Sequence, residues 1–316
     1  LGFKNRERAI LVGEGEEMEE LKEEVNSNPK YSIYFVSSVN VNNLDNVDFK
    51  REIMDTIQNE RISSIVIDLK SKKIVPILPE LYNMIFSNVK FIDMYQVYED
   101  TFDRIPLSLL NYDWFLENIS RETHSGYDIL KRVMDTGAAF MLGLISLVVY
   151  PFVYIAIKLE DGGPVFITQE RIGRANKIIK LIKFRSMNVS DTGVWPKEKD
   201  NRVTKVGKVI RNTRIDELPQ LWSVINGDIS LIGPRPDIMD LGKKLASDIP
   251  YYTVRNLIKP GLSGWAQIKQ ELPPHSVEET KTRLSYDLYY LKNRSLMLDL
   301  KIALQTVKTL LSRTGK

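Results

Sequence analysis

Residues 136–157 read TGAAFMLGLISLVVYPFVYIAI, a 22-residue stretch without a charged side chain. At about 1.5 Å rise per residue a helix of that length matches a bilayer core of roughly 30 Å. Pro151 sits inside the stretch, where it removes a backbone hydrogen bond and kinks or ends a helix. The arm before it rises about 22 Å and the arm after it about 10 Å, so a re-entrant hairpin over about residues 132–158 competes with a full span and with a buried core helix. Basic residues flank both sides: Lys131 and Arg132 before, and Lys158, Arg171, Arg174, Lys177 and Lys180 after. By the positive-inside rule both flanks then face the cytoplasm, which favours the hairpin broken at Pro151.

Downstream of this stretch, Arg211-Asn-Thr-Arg-Ile-Asp-Glu-Leu-Pro-Gln-Leu-Trp222 sets the carboxylate pair Asp216-Glu217 among fixed cations. An Asp carboxylate is a competent nucleophile toward phosphorus, provided that cations offset the charge of the two approaching anions. Lys183 and Arg185 in Lys183-Phe-Arg-Ser-Met187, Arg211, and Arg235 in Gly233-Pro-Arg-Pro236 are candidates for binding phosphate. Mg²⁺ suits a site with one or two carboxylates and several waters, which a single Asp-Glu pair provides. The plainer reading places both acids in the first turn of a helix through Leu218, Leu221 and Trp222, with Pro219 near its start. The two readings are compatible, because a helix N-terminus that steadies a carboxylate also attracts phosphate.

These blocks, with Lys259-Pro-Gly-Leu-Ser-Gly-Trp-Ala-Gln267 and Tyr286-Asp-Leu-Tyr-Tyr-Leu-Lys-Asn293, resemble the bacterial sugar transferase family, the monotopic phosphoglycosyl transferases, over roughly residues 126 to 312. The resemblance implies a re-entrant membrane helix broken by a proline and followed by a segment like Gly163-Pro-Val-Phe166. It also implies a reaction in which Asp216 attacks the sugar-bearing phosphate of a UDP-sugar and releases UMP. Polyprenyl (undecaprenyl) phosphate then takes the phosphosugar, the initiating step of exopolysaccharide or other lipid-linked glycan synthesis. In that scheme Asp216 is nucleophile and Mg²⁺ ligand, and Glu217 assists as base or by orienting its neighbour. Lys183, Arg185, Arg211, Arg235 and Arg255 match the family's basic positions and bind phosphates. Lys269-Gln270-Glu271 departs from the Asn-Gly-Arg found in many members, and Tyr150 stands where Ser is more usual. The expected location is the cytoplasmic face of a bacterial inner membrane, with membrane lipid as a further partner. Homo-oligomerisation stays open.

The segment Leu296–Leu311 repeats apolar residues on a helical period among Lys301 and Lys308, as expected of an interfacial helix or of one packed on the core. Residues 1–118 read differently. Strands at Ala9–Val12, Tyr31–Val36, Ile62–Leu69 and Val89–Met94 alternate with helices at Glu16–Val25 and Ile74–Phe86. That order predicts an α/β fold: a doubly wound Rossmann-like domain, a connector over 119–128, and a mainly helical monotopic membrane catalytic domain over 129–316. Gly13-Glu-Gly-Glu-Glu-Met18 has two glycines of a dinucleotide fingerprint but Met in place of the third, and its acids repel a pyrophosphate. The larger members of the family carry a similar nucleotide-binding-like domain, preceded by several transmembrane helices, so this chain reads as a fragment.

The formal net charge of +3 is too mild, and the basic residues too scattered, to indicate nucleic acid. With no cysteine, thiolate chemistry and disulfides are excluded, and the two histidines, His124 and His275, are too few for a histidine metal site. Two rival classes remain: an NAD-dependent oxidoreductase resting on Gly13 and Gly15, and a non-catalytic membrane scaffold that has no use for Asp216.

Overall fold

The computed structural model describes residues 6–42, 56–57, 59–87, 89–119, 125–188, 202–270 and 272–312. The fold is mixed α/β in two compact units, Leu1–Pro106 and Leu107–Lys316. Leu107–Asn118, read above with the first domain, goes with the second unit, where the rings of Tyr112 and Phe115 pack on Tyr251. Glu271 and His124 lie outside the described residues.

In the first unit the strands β1 (Glu7–Gly13), β2 (Ile33–Asn40), β3 (Ser64–Ile67) and β4 (Lys90–Asp93) form a parallel sheet in the order β2-β1-β3-β4. Parallel strands need covered faces, and the two-residue period of β1 supplies one apolar set to each. Ala9 and Leu11 pack with Met18, Leu21 and Val25 of the helix Glu16–Ser27 and with Met94, Val97 and Tyr98 of the helix Met94–Phe102. Ile10 and Val12 face the other way, against Ile74, Ile77, Leu81 and Met84. The helix expected over Ile74–Phe86 is broken into a 3₁₀ segment Lys72–Ile77, an α-helix Leu78–Met84 and a 3₁₀ turn Ile85–Ser87. Proline explains the restart: Pro79 occupies the first turn of the α-helix, where a missing N–H leaves nothing unpaired. Met94–Phe102, where the sequence reading assigned no helix, is nucleated by the Asp93 carboxylate, which accepts from the Tyr95 and Gln96 amides at 2.7 and 3.3 Å.

The second unit is mostly helical. Among its described residues the strands are an antiparallel hairpin, β5 (Phe166–Ile172) with β6 (Ile178–Phe184), and a short parallel pair, β7 (Ser230–Ile232) with β8 (Gly261–Ser263). The uncharged stretch forms two helices, Ser125–Ser146 and Tyr150–Asp161, bent by 56°. Among the described residues no single helix is long and apolar enough to cross a membrane. The break lies at Leu147–Val149, and Pro151, the expected breaking point, starts the second helix instead. Its ring is tolerated in a first turn, whereas the preceding turn is closed by local bonds such as Val149 N–H to Ser146 O at 2.9 Å. One face of the first helix is anchored inside: Ala139 is fully buried against Leu221, Val224 and Ile229. Toward its start, Asp299 of the helix Leu296–Ser312 accepts from Lys131 at 2.8 Å and Tyr127 at 2.9 Å, and from Tyr290 at 2.7 Å. The opposite faces expose Phe140, Met141, Leu144, Ile145, Val148, Phe152, Ile155 and Leu159.

Candidate active site

Asp216 and Glu217 lie in a 3₁₀ segment, Ile215–Gln220, that runs directly into the helix Leu221–Asn226. The expected regular helix through these acids is therefore a tighter turn first, with Pro219 inside it. Arg214 begins the turn in the left-handed conformation, φ 56° and ψ 17°, and this corner separates it from the helix Lys205–Asn212 that carries Arg211.

The two neighbouring carboxylates have opposite environments. Glu217 accepts a hydrogen bond from Arg235 Nη2 at 2.7 Å and lies 3.7 Å from Arg214 Nη1. Burial opposes its ionisation, but Arg235, Arg214 and Lys183 outweigh that penalty and hold its pKa down at about 2. Asp216 is 8% exposed and its Oδ1 is buried without a hydrogen-bond partner among the described residues. Desolvation, reinforced by the charge of Glu217, pushes it up to about 6 against the pull of Lys183, Arg211 and Arg214. A carboxylate with a poorly solvated oxygen, still mainly ionised at neutral pH, is suited to attack an electrophile or to hold a cation.

The hairpin supplies the opposing wall. Lys183 pairs with Ile167, and Gln169 with Leu181, so Lys183, Gln169 and Arg171 share one face by the two-residue period. Lys183 donates to Gln169 Oε1 at 3.2 Å, and Arg171 donates to the Pro236 carbonyl at 3.0 Å. With Glu217, Gln220, Arg235, Gly261 and Leu262 these residues line one cleft. Gly233 and Gly261 are required by the backbone, since a Cβ on Gly261 would lie 2.1 Å from the Gly233 nitrogen. That close approach fixes the loop that presents Arg235.

Of the five basic residues expected on phosphates, Lys183, Arg211 and Arg235 act on the charges of the acid pair, Arg235 by a direct hydrogen bond to Glu217. Arg185 is ion-paired with Asp161 at the end of the helix Tyr150–Asp161. Arg255 is 1% exposed, bonded to Asp237, to Asp287 at 2.7 Å, and through Nη2 to the Arg235 carbonyl at 2.9 Å. Its guanidinium is engaged inside the protein and holds the Arg235 loop through that carbonyl. Arg214, Arg171 and Gln169 were not read from sequence as site residues. For the last two a signal existed, the period-two pattern in Phe166–Ile172, which puts them beside Lys183.

Among the described residues no group of three or more acid or histidine side chains converges on a metal position. The donor set nevertheless fits Mg²⁺ held by Asp216 alone, because Oδ1 has no donor and Mg²⁺ completes its shell with water and phosphate oxygens. In the first unit, the carboxyl ends of β1 and β3, where a dinucleotide would lie, carry an ion pair of Glu14 with Lys73 at 2.5 Å and the buried Asp68. A Cβ at Gly13 would meet Met94 Sδ at 2.8 Å, so that glycine serves close packing of the Met94 helix.

Residues 126–313 match the family model described as bacterial sugar transferase. A UDP-N-acetylgalactosamine-undecaprenyl-phosphate N-acetylgalactosaminephosphotransferase of Aeromonas hydrophila is 41% identical over 192 residues, covering 60% of this chain and 45% of the relative. A UDP-glucose:undecaprenyl-phosphate glucose-1-phosphate transferase of Caulobacter vibrioides is 38% identical over 189 residues, covering 58% of this chain and 71% of the relative. The protein of the same description from Escherichia coli is 36% identical over 200 residues, covering 62% and 42%. The chain thus spans about half the length of several curated relatives that it matches.

Proposed function

Because this chain belongs to the bacterial sugar transferase family, we propose that it transfers a sugar 1-phosphate from a UDP-sugar to undecaprenyl phosphate through a covalent intermediate on Asp216. The observation that carries this reading is the contrast inside one turn: Glu217 is locked to Arg235 while Asp216 keeps a buried oxygen without a donor. An Asp216 oxygen attacks the sugar-bearing phosphorus, the bond from that phosphorus to the bridging oxygen breaks, and UMP leaves with the electron pair. An oxygen of undecaprenyl phosphate then attacks the same phosphorus and returns the Asp216 carboxylate. Lys183, Arg211 and Arg235 neutralise the diphosphate as charge moves onto the leaving oxygen. Asp216 would also hold Mg²⁺, which would supply further charge neutralisation at the diphosphate. The low pKa and ion pair of Glu217 support an orienting role for it over that of a proton acceptor.

The exposed apolar arms on either side of Leu147–Val149 support a hairpin seated in the cytoplasmic leaflet of the inner membrane. The first unit then acts as a Rossmann-like accessory domain whose ligand crevice is occupied by its own Glu14–Lys73 pair. Incubation with a UDP-sugar and Mg²⁺, without lipid acceptor, is expected to release up to about one equivalent of UMP and to leave a phosphosugar mass on the peptide holding Asp216. UMP that appears only with acceptor present, and no trapped adduct, would overturn the covalent role. A scaffold would release none under either condition. Since the chain has no cysteine, single cysteines at Lys158 and at Asp128 report sidedness cleanly, and labelling from opposite faces of the membrane would remove the hairpin.

A further inference from the structure

A second cavity, of about 270 Å³, lies in the second unit away from the acid pair, lined by Lys131, Arg132, Arg174, Lys259 and Arg294 against only two carboxylates, Asp128 and Asp135. Two of the five cations are answered within the protein: Lys131 by Asp299 at 2.8 Å and Arg294 by Asp128 at 3.0 Å. The other three converge without a carboxylate partner among the described residues. Arg132 donates to the Val224 and Ile225 carbonyls at 2.6 and 2.7 Å, which holds its guanidinium in place but leaves its charge unmatched. A Cβ built on Gly227 would lie 3.1 Å from Arg132 Nη2 and 3.4 Å from Lys259 Nζ, so both cations approach the same point of the chain. The Lys259 and Arg174 side chains have neither a hydrogen bond nor an ion pair among the described residues, and Lys259 is half-buried. Burial and the charges of Arg132 and Arg174 lower its pKa, while the more weakly acting Asp135 and Asp228 oppose them.

Three like charges held together at a partly desolvated position are unfavourable without a counter-ion. We propose that this cavity is a phosphate-binding site, separate from the cleft lined by Glu217 and Arg235, in which Lys259, Arg132 and Arg174 take the phosphate group of a lipid headgroup or free phosphate. Its place in the chain favours the lipid. The wall Asp128–Asp135 is the foot of the first apolar helix, whose Ile129, Leu130, Val133 and Met134 are exposed, and Arg294 immediately precedes the helix that exposes Met297, Leu300 and Leu304. Both helices therefore begin at the cavity, at headgroup depth if the one-sided membrane reading above holds. The segment Lys259–Leu262 links the two sites: Lys259 lines this cavity, and Gly261 and Leu262 line the cleft of Glu217 and Arg235.

The test is calorimetric titration of the full chain in a neutral detergent with dihexanoyl phosphatidic acid, with inorganic phosphate, and with dihexanoyl phosphatidylcholine. Saturable binding of phosphatidic acid is expected in the wild type and in Asp216→Asn alike, weakened about ten-fold or more by Lys259→Ala and by Arg174→Ala. Arg174 is exposed, so its variant folds even if Lys259→Ala does not. Equal affinity for inorganic phosphate identifies the source as free phosphate, and binding of phosphatidic acid alone identifies a lipid. Absence of saturable binding, indifference to both substitutions, or loss of binding in Asp216→Asn each overturns the proposal. UMP release and adduct formation in the same wild-type preparation report separately on the transferase reading.

Discussion

The Arg255 cluster and the Asp216 turn contain the same kinds of side chain at comparable depth, and they are finished differently. Around Arg255, 1% exposed, Asp237 also accepts from the Tyr252 hydroxyl at 2.9 Å, Asp287 takes Nε at 2.8 Å, and the last N–H reaches the Arg235 carbonyl. The Arg255 guanidinium is answered on every side, as a buried ion needs if desolvation is not to prevail, although the neighbouring buried Arg283 keeps an Nε without a partner among the described residues. Around Asp216, 8% exposed, three cations are near enough to act on its charge, yet Oδ1 has no donor. The fully bonded guanidinium of Arg255 makes the first cluster a structural anchor. Incompleteness leaves the second with reactivity, and Arg235 connects them, its carbonyl held by Arg255 and its guanidinium holding Glu217.

The comparison is broken most severely at the nucleophile. Asp216→Asn keeps the shape and removes the anion, so transfer should fall by about 10⁴-fold or more with no phosphosugar adduct by mass spectrometry. Because the fold raises the Asp216 pKa from the ordinary 3.8 to about 6, ionisation at neutral pH works against folding. The same variant should therefore unfold later than wild type, by about 1–3 kcal/mol in denaturant titration at pH 7.5. An inactive variant that is also destabilised would contradict the environment described for Asp216.

Arg255→Met tests the other cluster. It strands Asp237 and Asp287, and a buried pair broken on one side costs about 3–5 kcal/mol, read as a melting midpoint lowered by roughly 10 °C. Unchanged melting with a raised KM for the UDP-sugar would instead restore Arg255 as a ligand contact. Glu217→Gln sits between the two clusters: it frees Arg235 and leaves Asp216 in place, so turnover should drop about 10²-fold while a slow adduct still forms. Loss of all adduct would assign Glu217 a direct chemical part.

The smallest effect is that of pH. Adduct formation needs ionised Asp216, so its rate should be level near pH 8 and fall toward tenfold per unit below about pH 6. Glu217 runs oppositely in stability. Its folded pKa of about 2 lies below the ordinary 4.5, so its contribution is complete above that value and disappears as pH falls toward 2. A rate profile with its break near pH 4 would mean that Asp216 is not desolvated as found here.

Local periodicity made much of this legible. The near-alternation in Ile178–Phe184 is that of a strand, the two prolines about Arg235 stiffen its loop, and the strands of the first unit followed from their apolar runs. What stayed hidden depends on partners distant in the chain. Arg255 reads as one more cation until Asp237 and Asp287, 18 and 32 residues away, close on it. The helix break also eluded a proline rule, because Pro151 is as well suited to starting a helix as to interrupting one, and only the packing of Ala139 and Val153 decides which.

Arg214 sets a trap for anyone engineering this protein for durability. It is the corner before the acid pair, at φ 56° with a full side chain, in a region that glycine enters freely and other residues enter at about 1 kcal/mol. Any consensus or backbone-relaxing design would replace it with glycine and expect a firmer protein. The same exchange removes a cation that acts on both Asp216 and Glu217. A heat-challenge selection would thus enrich R214G while a turnover selection rejects it, and equal enrichment in both screens would show that the corner carries no such trade-off.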